Sequence, residues 1–166
     1  MQRPIHIVWF KRDLRVVDHA PLVAACKSGQ VLPLFCWEPS VWAGEDYAKQ
    51  HQVFVQECLI ELAIDLKRVG LNLLVSTFGI VQTLQHIRSH TPIAQLYSHE
   101  ETGNGATYTV DKAVASWCKA NGVDWQETSQ NGVVRRLKNR NHWSWHWEQR
   151  MNSAQAVLPN NVVAAP

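Results

Sequence analysis

The chain has 166 residues, 46% of them hydrophobic and 18% charged, with a formal net charge of +2 at pH 7, which suits one globular domain with a sizeable core and a tail. No apolar run approaches the ~18 residues that a membrane span requires, and an apolar strand begins within four residues of the N-terminus, leaving no room for a signal peptide. The expectation is a soluble, cytoplasmic protein. Its charge is uneven: residues 1–134 hold 11 Lys/Arg against 13 Asp/Glu, whereas residues 135–166 hold 5 against 1.

Ile5-His6-Ile7-Val8-Trp9-Phe10 is an apolar run of the kind covered on both faces of a parallel sheet, and it ends abruptly in Lys11-Arg12-Asp13. Asp18 ahead of Pro21 suits a helix N-terminus, its carboxylate taking orphan backbone N–H groups, and Ala20–Ser28 follows as a short helix stopped by Gly29. Val31–Trp37 is a second strand, again ending in charge at Glu38, with Pro33 placed where a missing donor is harmless. Glu38–Asp46 reads as a loop. In Lys49–Val69 the residues Val55, Leu59, Leu62, Leu66 and Val69 recur at helical spacing, the clearest helix of the chain.

Beyond Gly70, a strand at Leu71–Ser76, a helix at Ile80–His90 and a strand at Gln95–His99 continue the alternation. A polar loop from Glu100 to Gly105, a helix around Tyr108–Ala120 and a strand at Val123–Glu127 complete it. Strands alternating with helices in this way predict an α/β fold, a Rossmann-like doubly wound parallel sheet of five strands with helices on both faces. Ligands of such sheets sit at the C-terminal strand ends. Here those ends are Lys11-Arg12-Asp13, Trp37-Glu38 and His99-Glu100-Glu101.

Several chemistries lose ground. Gly103-Asn104-Gly105 starts a glycine fingerprint, but Tyr108 stands at its third position, and neither a Walker loop nor a Gly-x-Ser-x-Gly elbow is present. The four cysteines form no Cys-x-x-Cys and have no paired histidines nearby, which disfavours structural zinc and a redox dithiol; each lies in an apolar context and reads as a buried small hydrophobe. No group is singled out as catalytic and none as a metal ligand. Glu100 and Glu101 are adjacent on a strand end and should point to opposite sides. Aromatic residues mixed with a few fixed charges at the strand ends suit a planar polar chromophore or a nucleotide; solvation of the strand ends by Lys11, Arg12, Asp13 and Arg15 is the competing reading.

Trp9-Phe10-Lys11-Arg12-Asp13-Leu14-Arg15, followed by Asp18, Ala20 and Leu22, resembles the N-terminal signature of the photolyase/cryptochrome family, with His19 standing where Asn is usual. Leu34-Phe35-Cys36-Trp37-Glu38 is similar to the family's second strand, and Tyr97–Asn104 followed by Tyr108–Val114 is similar to its fourth strand and the helix after it. The resemblance implies that residues 1–130 are the antenna domain, a light-harvesting module that binds a folate, a deazaflavin, a lumazine or a flavin. Carried over by position, Lys11, Arg12, Asp13, Phe35, Cys36, Trp37, Glu38, Glu100 and Glu101 are the candidates to line that site. The usual Gly-Arg-Asp or Glu-Arg-x-x-Asp run is replaced by Ala106–Asp111, which leaves the chromophore's identity open.

Residues 131–152 interleave base and aromatic, among them Arg135, Arg136, Lys138, Arg140, Trp143, Trp145 and Trp147. They read either as a segment whose tryptophans pack on the domain or lead to the linker, or as a nucleic-acid patch; residues 153–166 read as the start of an interdomain linker. The resemblance further implies that FAD, substrate DNA and catalysis belong to a C-terminal helical domain absent from this chain. That domain would be its partner, in a deoxyribodipyrimidine photolyase that repairs pyrimidine dimers or in a photoreceptor, and the isolated domain would perform no repair. Two other readings stay open: a flavin- or nucleotide-binding module of flavodoxin or electron-transfer-flavoprotein type, and a non-catalytic nucleic-acid-binding domain using residues 135–150.

Overall fold

The computed structural model describes residues 3–166. In chain order its elements are β1 Ile5–Phe10, α1 Ala20–Ser28, β2 Gln30–Cys36, α2 Pro39–Trp42, α3 Lys49–Arg68, β3 Leu74–Ser76, α4 Ile80–His90, β4 Ile93–His99, α5 Gly105–Asn121, β5 Asp124–Thr128, a single 3-10 turn Arg140–His142, α6 Trp143–Met151 and β6 Val163–Ala164. All strand pairings are parallel, in the order β3-β2-β1-β4-β5, with β6 added against β2. The expected doubly wound parallel sheet is therefore present, and its strand order is that of a Rossmann-like half.

β1 is buried at every position because it is the central strand, flanked by β2 and β4 and covered on both faces. Alternation along it feeds two cores. Ile5, Ile7 and Trp9 join Leu84, Ile87, Val114 and Trp117 of α4 and α5, whereas Val8 and Phe10 join Leu22 of α1 and Leu59, Leu62 and Leu66 of α3. Burying each of these α3 leucines is worth roughly 1.5–3 kcal/mol, more than helix propensity alone supplies.

Four local outcomes differ from the sequence reading. His19, not Asp18, caps α1: its ring nitrogen accepts the Leu22 N–H at 3.1 Å, while Asp18 adopts a left-handed φ of 50° and takes the Ala156 N–H at 2.8 Å. The loop after β2 contains the short helix α2, started by Pro39. β3 is confined to Leu74–Ser76, because Leu71 is drawn into the core beneath α3. α5 begins at Gly105, where the Asn104 side chain accepts the Thr107 N–H.

The C-terminal residues return to the sheet. Leu158, Val162 and Ala164 pack on the core shared by α1 and α3, and Val163–Ala164 pairs with Gln30–Val31. β6 and β3 thus divide the outer edge of β2, one against Gln30–Val31 and the other against Leu34–Cys36. Pro33 falls in the interval that neither strand occupies, which answers the question its missing donor raised.

Candidate functional site

A cleft of about 710 Å³ opens at the C-terminal ends of β1 and β2. Its inner wall is Trp9 and Phe10 of β1 with Phe35 and Cys36 of β2; its outer wall is Val41 and Trp42 of α2, Tyr47, and Phe54 and Cys58 of α3. The rings form a connected series, with centroids 5.4 Å apart for Phe35 and Trp37 and 4.8 Å for both Trp37–Trp42 and Trp42–Tyr47. Burial pushes the Cys36 thiol up to about 12, so this cysteine is an inert part of the wall rather than a nucleophile.

The charged turn after β1 is tied down group by group. Lys11 Nζ donates to both oxygens of Asp111 on α5, at 2.8 and 3.1 Å, and sits 4.3 Å from the centroid of Trp9. Burial raises the Asp111 carboxyl and Lys11 opposes the rise. Arg12 pairs with Glu101, whose carboxylate also accepts the Gly103 N–H at 2.6 Å. A Cβ on Gly103 would lie 2.7 Å from both Glu101 Oε1 and Thr107 Oγ1, so glycine is what lets this loop close on the carboxylate. Arg15 turns its guanidinium to the carbonyls of Val17 and Asp18, both at 3.1 Å.

Beneath the cleft, Asp13 is 2% exposed. Its Oδ1 accepts the Lys11 N–H at 2.8 Å, and its Oδ2 takes His19 Nε2 at 2.7 Å and His99 Nδ1 at 2.5 Å. Burial would raise this carboxyl, but the two imidazole hydrogen bonds hold it well below the usual carboxylate range. Burial lowers His19, against the pull of Asp13. Because His19 Nδ1 accepts the Leu22 N–H, the hydrogen bonding assigns the proton to Nε2, which donates to Asp13. Asp13, His19 and His99 are the one trio of metal-type donors gathered among the described residues. Their separations from Oδ2 are those of hydrogen bonds, and in this tautomer His19 has no lone pair to offer a cation at Nε2.

Of the residues singled out in the sequence, Lys11, Arg12, Asp13, Phe35, Cys36, Glu38 and Glu101 line the cleft. Trp37 and Glu100 do not. Trp37 leaves the β2 edge with its N–H on Ser76 O and its ring behind Phe35 and Trp42. Glu100 faces the other way from Glu101, as strand alternation requires, accepting Ser129 Oγ at 3.1 Å beside a smaller cavity that also contains Arg135, His146 and Arg150. Sequence reasoning missed the α3 contribution, because Phe54 and Cys58 lie off its main apolar stripe, and it missed Asp111, whose partner Lys11 is 100 residues away.

The basic, Trp-rich segment makes no single face. Arg135 forms a two-pronged bond to Glu127 at 2.8 and 3.0 Å, and that bond raises its guanidinium further. Trp143 Nε1 donates to Gly132 O at 2.9 Å, and Trp147 closes on the same glycine. Trp145, two residues along the helix from each, is turned about 200° away and is 57% exposed. None of the three joins either sheet core.

The DNA photolyase family model matches residues 6–141. The deoxyribodipyrimidine photo-lyase of Salmonella typhimurium is 31% identical over 122 residues, which are 68% of this chain and 26% of that protein. Cryptochrome DASH of Synechocystis sp. is 35% identical over 104 residues, 59% of this chain and 21% of that protein. The chain thus spans a minor part of the length of the curated relatives it matches. Among solved structures, a class III photolyase from Agrobacterium tumefaciens superposes with a TM-score of 0.78 at 21% identity, covering 99% of this chain and 36% of the other. An archaeal photolyase from Sulfolobus tokodaii, solved with two FAD molecules and described as implying a novel light-harvesting cofactor, superposes with a TM-score of 0.69 at 18% identity, over 96% of this chain and 37% of the other. No described helix is long and apolar enough to cross a membrane.

Proposed function

From the premise that the chain belongs to the DNA photolyase family, as its N-terminal α/β domain, we infer that the cleft at the strand ends holds a light-harvesting chromophore. The observation that carries this reading is the cleft itself: about 710 Å³ walled by the rings of Trp9, Phe10, Phe35, Trp42, Tyr47 and Phe54, with Lys11 and Arg12 each paired to a carboxylate of the chain. Apolar walls with a few fixed polar groups hold a planar ring in one orientation and keep water from it. Orientation is what resonance energy transfer needs, and no bond-breaking group is required.

When bound, the chromophore supplies absorption in the near ultraviolet or blue. The chain's own residues do the rest. Trp9, Phe35 and Trp42 offer faces to stack on, and Lys11 is held against Trp9 by Asp111 so that a cation stays fixed at the inner end. The energy acceptor in this reading is FAD in a C-terminal helical domain of the parent protein. DNA repair or photoreception would belong to that parent, and nucleic acid would be engaged there.

The test is an absorption and fluorescence titration of the purified chain with a folate, a deazaflavin, a lumazine and a flavin. The expected result is saturable, one-to-one binding of one class with a shifted absorption band, weakened on Trp42→Ala. If all four leave the spectra of chain and chromophore unchanged, the antenna reading fails for this domain.

A further inference from the structure

Doubly wound sheets usually hold ligand phosphates on the backbone N–H groups at helix N-termini, where the helix dipole adds its field. In this chain the helix starts that face the strand ends are closed from within. α1 is closed by His19, whose Nδ1 takes the Leu22 N–H. α4 is closed by Glu38 of the cleft, whose Oε2 accepts the Ile80 N–H at 2.9 Å; a Cβ on Gly79 would collide with that carboxylate. At α5 the Asn104 side chain takes the Thr107 N–H, and Glu101 takes the Gly103 N–H in the loop just before it. Two of the three positions where a phosphate would sit are thus filled by the chain's own carboxylates.

The cations of the cleft are equally committed. Lys11 is neutralised by Asp111 and Arg12 by Glu101, and the guanidinium of Arg15 is turned to two backbone carbonyls. Against these three cations stand Asp13, Glu38, Glu101 and Asp111, so the lining carries one more negative charge than positive. At the start of α3 the Ala48 N–H goes to His51 Nδ1 at 3.1 Å; Lys49, Gln50 and His51 are exposed there, at the outer lip, where a phosphate would keep its water and gain little.

Resting on the antenna reading, we propose that the ligand of this cleft is a planar heteroaromatic ring carrying no phosphate, riboflavin or a lumazine in kind, and not a nucleotide. The ring enters between the aromatic walls, and a neutral hydroxylated tail passes the carboxylates without cost. A phosphorylated tail would have to displace Glu38 or Glu101 from a backbone N–H, or lie beside them as a like charge.

Riboflavin, FMN and FAD share one ring and differ in phosphate, so fluorescence titration of the full chain with the three isolates the claim. Riboflavin is expected to bind, with FMN about tenfold weaker and FAD no tighter than FMN. Raising NaCl should tighten FMN by screening the repulsion while leaving riboflavin unchanged, and Glu101→Gln should narrow the gap between them. FMN or FAD binding as tightly as riboflavin, or weakening with salt, overturns the proposal and places the phosphate at the α3 lip. Binding of neither the three flavins nor a ribityl lumazine overturns the proposal too; a folate or deazaflavin that binds in that case shows that the antenna reading stands while the proposal falls.

Discussion

His19 and His99 donate to one and the same oxygen of Asp13, at 2.7 and 2.5 Å, although His99 lies 86 residues away in sequence. This arrangement fixes the direction of the chain's response to acid. Asp13 is held below its ordinary value, so its contribution is complete above the unfolded carboxyl pKa of about 3.9 and is lost as pH falls below it. Burial holds His19 below 6.5 as well, so beneath about pH 6.5 the unfolded chain takes up a proton that the folded chain refuses. Both signs agree, and buried His6, also lowered by burial, adds a third of the same sign. Arg15 acts in the same direction on His19, disfavouring its charged form. The melting temperature is expected to be flat above neutrality, to decline from about pH 6.5 and to fall steeply below about pH 4. His19→Asn keeps an acceptor for the Leu22 N–H and a donor for Asp13, costs about 1 kcal/mol at pH 8, and should flatten the first decline. Circular dichroism melts across this range check it; equal slopes for the two proteins below pH 6.5 would remove His19 from the account.

Lys11 and Asp111 form an ion pair at the cleft with side-chain exposures of only 9% and 6%. Removing one partner leaves the other charge buried without compensation, so Lys11→Met is expected to cost about 3 kcal/mol. That is the lower end of the usual range, because Arg135 Nη1 remains 3.9 Å from Asp111. The double variant Lys11→Met with Asp111→Leu should recover more than half of the loss, since a buried pair is replaceable by apolar volume. Urea unfolding of the two single variants and the double one gives the coupling directly; additive losses would show that the pair is not an energetic unit.

Two glycines two residues apart separate packing from propensity. A Cβ on Gly103 would press on buried Glu101 and on Thr107, whereas one on Gly105 meets nothing within 4 Å. Arg12, half in solvent, is able to move aside, but Glu101 is not. Gly103→Ala is therefore expected to lose about 1–2 kcal/mol and to weaken chromophore binding by loosening Glu101. Gly105→Ala, at the first residue of α5, should be neutral or stabilising by up to about 1 kcal/mol. Thermal melts rank the pair, and a reversed order would contradict the close approach at Gly103.

What the sequence made legible was what local pattern controls. The α3 stripe from Val55 to Val69 has helical period, and the apolar runs that become β1, β2 and β4 each stop at a charge, so both the winding and the location of the cleft at the strand ends could be read. What stayed hidden was decided by distant partners. Asp18 is as good a cap as His19 in isolation; His19 wins because Asp13 and His99 hold its ring in place, and Asp18 is drawn to Ala156. The pleat separates Glu100 from Glu101, but only the tertiary structure says which of them faces the cleft. β6 is two residues long and carries no periodicity at all.

That last strand rests on a clasp formed across the whole chain. Asp18 Oδ1 accepts the Ala156 N–H at 2.8 Å from a backbone with φ of 50°, a conformation that Asp tolerates better than most residues. Downstream, Leu158 and Val162 pack on the core and the Ala165 N–H donates to Val31 O at 2.9 Å. Asp18→Ala removes a hydrogen bond to a charged acceptor and leaves alanine in a left-handed conformation, an expected loss of roughly 2–3 kcal/mol. Asp18→Asn keeps both an acceptor and the tolerance, and should lose less than half as much. The loss should be local before it is global, because the tail is held at its start by this one bond and at its end by a two-residue strand. Hydrogen exchange is the discriminating measurement: in Asp18→Ala the Ala165 amide should exchange faster by tenfold or more at about 1.4 kcal/mol of lost local stability, while amides of β1 keep the protection that global unfolding sets. Unchanged exchange at Ala165 would show that β6 holds itself to the edge of β2 without the clasp.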